Sequence, residues 1–413
     1  MLSSKEKKYL EKLIDKNTKF KSNKFKYPLL DHAYSNNDII EGIKVLLSQQ
    51  LTMSEITYKF EKDFAKFIGS KHAVMVNSGS SANLLASFAL INPKKKDRIK
   101  QGDYFLIPAL CWSTSLWPLI QCGLKPIFLD VDINNFCLDE KKITKQILNK
   151  IKAILTIHIL GNSSNIEQIT HLAKKKGIYL IEDTCEALGS KFNSKYLGTF
   201  GDFGTYSFYY SHQITAGEGG MIVTNSKEDY DLLCSLRSHG WDRKTGKTVK
   251  KHNSYFNFIN SGFNVRPTDI TAAIGYSQFK RINKLILQRK KNRIKIINKL
   301  KQSNKWNNQF EFFYPNNKVD QSFFGFPILI NKKYQFRKKK FLNYLNKVKI
   351  ETRPILSGNF LNQPSAKLYN LNKQNTKFTS AQEIEDRGFF IGIPSKELEE
   401  KTLNYLVENL LKI

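Results

Sequence analysis

With 413 residues the chain is long enough for two to three domains. Hydrophobic residues make up 41% of it and aromatics 12%, which supplies a packed core and excludes a mainly disordered protein. The 66 Lys and Arg exceed the 36 Asp and Glu by 30, a balance that admits nucleic acid, an acidic membrane surface or a polyanionic substrate as partner and does not choose among them.

The chain opens on MLSSKEKKYLEKLIDK, which lacks an apolar h-region, and no run of 18 apolar residues follows. These features predict a cytoplasmic protein with no membrane insertion, and residues 1–35 are read as an N-terminal arm. From 36 to 280 short apolar runs alternate with helix-like stretches, the pattern of an α/β domain with a mainly parallel sheet. Seven strands are predicted, near 72–77, 104–108, 125–131, 152–158, 178–183, 204–209 and 220–225. Several are continuous β-branched runs, as strands buried on both faces require. After residue 262 the apolar positions recur at three and four residues through RPTDITAAIGYSQFKRINKLILQRKKNRIKIINKLKQ, which predicts one long helix. Residues 281–413 are read as a smaller C-terminal α+β domain, with an apolar run at FFGFPILI, a helical KKKFLNYLNKVK and a strand-like IETRPIL.

The lysines are scattered in short runs such as Lys94-Lys95-Lys96 and Lys338-Lys339-Lys340, with no Arg-rich stripe, so the excess reads as surface charge and no nucleic-acid partner is expected. Five cysteines with no CxxC spacing predict a reducing compartment and no metal site.

In open α/β sheets ligands bind beyond the carboxyl ends of the strands, and four of those ends are conspicuous. Asn77-Ser78-Gly79-Ser80-Ser81-Ala82-Asn83 joins a strand to a helix start, where glycine, hydroxyls and free N–H groups suit a phosphate. Ile181-Glu182-Asp183-Thr184-Cys185-Glu186 offers Asp183 to a protonated heterocycle nitrogen and Glu186 to the same site. Ser207-Phe208-Tyr209-Tyr210-Ser211-His212-Gln213-Ile214-Thr215-Ala216-Gly217-Glu218-Gly219-Gly220 is shaped like a loop around a ligand. In Cys111-Trp112-Ser113-Thr114-Ser115 the indole is placed to stack on a planar ring.

Together these spacings resemble the DegT/DnrJ/EryC1/StrS aminotransferase family of fold type I pyridoxal-phosphate enzymes. The resemblance implies an aspartate aminotransferase-like large domain, a smaller C-terminal domain and a homodimer. In that family the third motif reads approximately S-F-x-x-x-K-x-x-x-x-G-E-G-G, and its lysine bonds the cofactor. Here the lysine position is His212, the mark of a subset that removes the C3 hydroxyl of nucleotide-linked 4-keto-6-deoxy sugars. The implied substrate is a GDP-linked 4-keto-6-deoxy sugar, a hexose or a heptose analogue. L-glutamate would restore pyridoxamine phosphate from pyridoxal phosphate, for deoxysugar and polysaccharide biosynthesis.

The resemblance implies that His212 is the catalytic acid–base group, since imidazole moves protons but forms no stable imine. Ser80, Ser81 and Ser207 would bind the cofactor phosphate, with Asn264 reaching over from the neighbouring subunit. Asp183 would hold the pyridine nitrogen, Trp112 the ring face, and Glu186 would line the pocket. His239, Arg243 and Phe256 are the implied substrate-side residues. An iron–sulfur branch of the subset needs four thiolates after this loop, and Cys234 is the last cysteine, so no iron–sulfur cluster is expected. A nucleotide-sugar aminotransferase and a non-catalytic nucleotide-sugar-binding protein are the alternatives.

Overall fold

Seven of the short apolar runs pair into one sheet, in a computed structural model that describes residues 2–17, 25–30, 34–242, 257–313, 317–372 and 376–413. Helices α1 (Ser4–Asn17), α2 (Asn36–Ser48) and α3 (Glu55–Ile68) precede it. Its strands are β1 (His72–Val76), β2 (Tyr104–Pro108), β3 (Lys125–Leu129), β4 (Ile151–Ile157) and β5 (Tyr179–Asp183), then, after the hairpin β6 (Lys191–Phe192) and β7 (Lys195–Tyr196), β8 (Phe203–Ser207) and β9 (Gly220–Thr224). Their order across the sheet is β1-β9-β8-β5-β4-β2-β3. From β8 to β3 all neighbours are parallel, and β9 alone runs against both of its neighbours. Every residue of β8 and β9 is buried, which is why these runs show no alternation in the sequence.

Helices α4 (Gly79–Leu90), α5 (Ser113–Gln121), α6 (Lys145–Lys150), α7 (Ile166–Lys176) and α8 (Lys227–Arg237) surround the sheet. This winding gathers the carboxyl ends of β1, β2, β4, β5 and β8, with the start of the reversed β9, along one edge. Below that edge Phe60, Phe64, Phe208 and Phe279 form a buried aromatic cluster, with Phe60 and Phe208 stacked at 5.3 Å. Each such ring removed from water contributes about 1.5–3 kcal/mol. Because Phe208 follows β8 directly, the cluster also anchors the loop that leaves this strand.

The single long helix expected after residue 262 is instead two, α9 (Asp269–Phe279) and α10 (Ile282–Gln302). At the break Arg281 leaves helical geometry with φ −116° and ψ 16°. Its guanidinium bonds the buried carboxylate of Asp38 on α2, with Nη1 to Oδ1 at 2.7 Å. Apolar spacing runs on across the break, so periodicity alone merges the two helices.

Beyond α10, β10 (Phe310–Phe312), β12 (Gly325–Ile330), β13 (Thr352–Arg353) and β14 (Gly388–Gly392) form an antiparallel sheet in the order β10-β12-β14-β13. Its core gathers Phe326, Ile328, Phe389 and Ile391 with Ile296, Ile297 and Leu300 from α10. The short strand β11 (Val319–Asp320) pairs back to β6. Residues 25–30 of the N-terminal arm lie on this second sheet, where Tyr27 bridges Ile350 and its hydroxyl donates to the Gly392 carbonyl at 3.0 Å. Among the described residues no helix is long and apolar enough to cross a membrane.

Candidate active site

The first motif becomes the junction of β1 and α4. Ser78 caps the helix, its Oγ accepting from the Ser81 N–H at 3.0 Å, so the ordinary capping role is present. The same turn also opens on a cavity of about 910 Å³, lined by Ser78, Gly79 and Ser80. A Cβ on Gly79 would lie 2.6 Å from Ser207 Cβ and 2.9 Å from Cys185 Sγ, so only glycine lets three strand ends approach this closely. The positive end of the α4 dipole, the Ser80 hydroxyl and Ser207 thus face one corner, a setting that favours an anion. Ser81 is engaged with the cap, and its side chain receives the Ser78 hydroxyl at 3.1 Å.

Strand alternation gives the two carboxylates at the end of β5 opposite environments. Glu182 is fully buried and accepts from the N–H groups of Gly198, Phe200 and Gly201, with His158 Nε2 at 3.0 Å. Asp183 points the other way, into the cavity. Asn83 Nδ2 and Ser115 Oγ both donate to its Oδ2 at 2.7 Å, and the Cys185 N–H donates to Oδ1 at 3.2 Å. Thr205 Oγ1 donates to Asn83 Oδ1 at 2.7 Å, which fixes the amide so that its N–H groups face the carboxylate. Asn83 and Ser115 stand inside quoted motifs, yet their partnership with Asp183 spans 100 and 68 residues and leaves no local signal.

Glu186 lines the cavity one turn further on, its Oε2 accepting from the Leu160 N–H at 2.9 Å. Burial pushes its carboxyl up to about 7, with Asp183 adding to the rise against the pull of the Leu160 hydrogen bond. Trp112, at the start of α5, is 52% exposed and presents its ring to the cavity.

In the loop between β8 and β9, Phe208 receives the Ala216 N–H at 2.9 Å and gives its own to Gly219 at 2.8 Å, closing the loop at its base. His212 therefore projects from a loop held at both ends. Its ring lies 5.0 Å from Phe324 and 5.8 Å edge-on to Tyr209, and its buried Nδ1 has no hydrogen-bond partner among the described residues. Burial drives its pKa down to about 4, against opposing pulls from the Ser207 carbonyl and Asp183, so the ring is neutral at pH 7. Among the described residues no lysine lines the cavity.

The cavity thus unites Ser80, Trp112, Asp183, Glu186, Ser207 and His212. His239 and Asn264 stand elsewhere, both exposed and outside its lining, on neighbouring segments bridged by Ser238 and Asn264. Arg243 and Phe256 lie outside the described residues. The second domain completes the cavity with Phe324, Glu351, Arg353 and Phe390, and the arm with Phe25, Pro28, Leu29 and Leu30. Sequence reading assigned no site role to any of these, since distance along the chain hides them.

A family model described as the DegT/DnrJ/EryC1/StrS aminotransferase family matches residues 34–411. Over 392 residues the chain is 38% identical to an Escherichia coli protein named GDP-4-keto-6-deoxy-D-mannose 3-dehydratase, covering 93% of this chain and 99% of that one. A solved structure of the E. coli GDP-4-keto-6-deoxy-D-mannose-3-dehydratase with bound hydrated PLP superposes with a TM-score of 0.83 at 36% identity, covering 94% of this chain and 99% of that one. Another, of GDP-4-keto-6-deoxymannose-3-dehydratase with a trapped PLP-glutamate geminal diamine, gives a TM-score of 0.83 at 36% identity and covers 93% and 100%.

Proposed function

Because the chain belongs to the DegT/DnrJ/EryC1/StrS aminotransferase family, we propose that it is a pyridoxamine-phosphate-dependent 3-dehydratase. Its substrate is a GDP-linked 4-keto-6-deoxy sugar, from which it removes the C3 hydroxyl, and L-glutamate restores the cofactor amine. The observation that carries this reading is His212. It stands where the family's lysine belongs, in a cavity that no lysine among the described residues lines.

The cavity fits pyridoxal phosphate. Ser80, Ser207 and the first turn of α4 form an anionic-group corner that a Cβ on Gly79 would fill. Ser81 stands in the same turn. Asp183 would face the ring nitrogen and Trp112 the ring plane, and Glu186 would line the same pocket. When bound, the cofactor supplies an electron sink for the sugar carbons beside its amine.

The chain's residues then hold and move protons. Asp183 is fixed by Asn83, Ser115 and the Cys185 N–H, so it keeps one orientation toward a protonated nitrogen. His212 is neutral at rest and would take a proton from the cofactor carbon that bears the amine, then give it to the C3 oxygen as that oxygen leaves. A positioned acid–base group of this kind contributes ~10² to 10⁴ in rate. Tyr209 and Phe324 pack against the imidazole and limit water around it. The absence of an amine at position 212 leaves the cofactor without a covalent tether to the protein.

Asn264 is assigned to the cofactor phosphate in the cavity of a second copy in a homodimer, and His239, Arg243 and Phe256 to the substrate side. The exposure of Asn264 on one chain, outside its own cavity, supports that arrangement. The domain limits adopted are 1–35, 36–280 and 281–413.

The test is incubation with pyridoxal phosphate, L-glutamate and GDP-4-keto-6-deoxymannose. A sugar lacking its C3 oxygen, with stoichiometric ammonia, is the expected result. An amino sugar that keeps the C3 oxygen would assign an aminotransferase, and no turnover would leave a binding protein.

A further inference from the structure

Behind the cavity, hydrogen bonds form a closed circuit that begins and ends on Glu186. Its carboxylate accepts from the Leu160 N–H at 2.9 Å, and the Leu160 carbonyl accepts from Gln321 Nε2 at 2.8 Å. One residue further, the Ser322 carbonyl accepts from Gln213 Nε2 at 3.4 Å, and the same Nε2 donates to the Glu186 carbonyl at 2.7 Å. Its supports are buried, with Gln213 1% exposed, Gln321 3%, Ser322 0% and Leu160 1%, while Glu186 itself is half-buried at the cavity wall. The backbones approach so closely that a Cβ on Gly161 would lie 2.1 Å from the Ser322 oxygen. Leu160 holds φ 49°, a left-handed conformation unfavourable for leucine, and both of its peptide groups are used by the circuit.

The circuit joins the two halves of the molecule at the reacting groups. Gln213 directly follows His212, and Phe324, two residues beyond Ser322, packs on the His212 ring at 5.0 Å. Segment 321–324 leads from β11, which pairs with β6 beside the large sheet, into β12 of the second domain. We propose that Gln213 and Gln321 are positioning residues, which set His212 and Glu186 relative to each other through this interdomain circuit. The inference rests on the dehydratase reading for its kinetic consequence but not for its structural one.

The substitutions Gln213→Met and Gln321→Met keep side-chain length and remove the donor. In the full chain each is expected to lower kcat by about tenfold to a hundredfold, with KM for the GDP-sugar changed by less than about twofold. The double variant is expected to lose little more than either single one, because the two act in one circuit. The acid limb of the rate profile is expected to move to higher pH.

A second readout uses cofactor-free full chain with ring-labelled histidine, followed by NMR. There His212, which faces Asp183 and Glu186 of the large domain and Phe324 of the second, is expected to titrate near 4 in the parent and closer to 6.5 in either variant, as water gains the ring. Should one variant fail to fold, the other carries the test from the opposite side of the circuit. Folded variants with unchanged kcat and unchanged His212 titration would overturn the proposal. A parent chain without dehydratase turnover would remove the reading above, while the titration would still decide the positioning role.

Discussion

Two groups of motifs take different places in this molecule. Those at 78–83, 111–115, 181–186 and 207–220 converge on one cavity at the carboxyl edge of the large sheet. The stretches Ser238-His239-Gly240-Trp241 and Gly262-Phe263-Asn264-Val265-Arg266-Pro267 pair with each other outside it, where His239 is exposed with φ 62° and Asn264 is exposed beside Arg266. The first group lines a cavity within one chain, whereas the second, which we propose serves a neighbouring copy, leaves His239 and Asn264 exposed outside it.

This contrast is open to experiment, beginning inside the cavity. His212→Asn keeps size and polarity but cannot carry a proton, and should lower dehydratase turnover by ~10² to 10⁴ with cofactor binding retained; turnover within a few-fold of the parent would remove His212 from the chemistry. Asp183→Asn replaces the carboxylate that Asn83 and Ser115 hold, and should slow both sugar dehydration and the glutamate half-reaction by about a hundredfold. If neither half-reaction slowed, Asp183 would not be the ring partner.

Substitutions in the second group should act more weakly and in a distinctive way. Asn264→Ala is expected to weaken cofactor retention by about tenfold, the worth of one charge-assisted hydrogen bond. Mixing that variant with His212→Asn should restore turnover, because one mixed active site would then be whole. Failure of any mixture to recover activity would return Asn264 to a structural role.

The smallest effect concerns Glu186, whose folded-state pKa is raised to about 7 from 4.5. Stability from this group is full below about 4.5 and is lost as pH rises through 7, since the folded chain resists ionising a buried carboxyl. Glu186→Gln cannot ionise, so its Tm relative to the parent should climb by about 2–4 °C between pH 4.5 and 8. The opposite pH response of His212 is common to both proteins and cancels in that difference. A Tm difference independent of pH would place Glu186 in water.

The large sheet was legible because its strands are continuous apolar runs, and the cavity because glycine and hydroxyl residues cluster where those runs end. Asp183 and Glu182 were adjacent letters with equal chemistry. Only their alternation across β5 separates the carboxylate that meets the cavity from the one saturated by three backbone N–H groups. The break at Arg281 was hidden because its cause, Asp38, lies 243 residues away. Phe324, Gln321, Glu351 and the arm at 25–30 were hidden for the same reason, since they reach the cavity or its supports through a second domain whose docking has no period in the sequence.

Function turns on an imidazole where the family has an amine. His212→Lys tests it most directly, by the absorption spectrum of the bound cofactor and by assay of the sugar product. A new absorption band from covalent attachment of the cofactor, together with loss of C3 deoxygenation, is expected. Unchanged 3-dehydratase turnover in the lysine variant would contradict it.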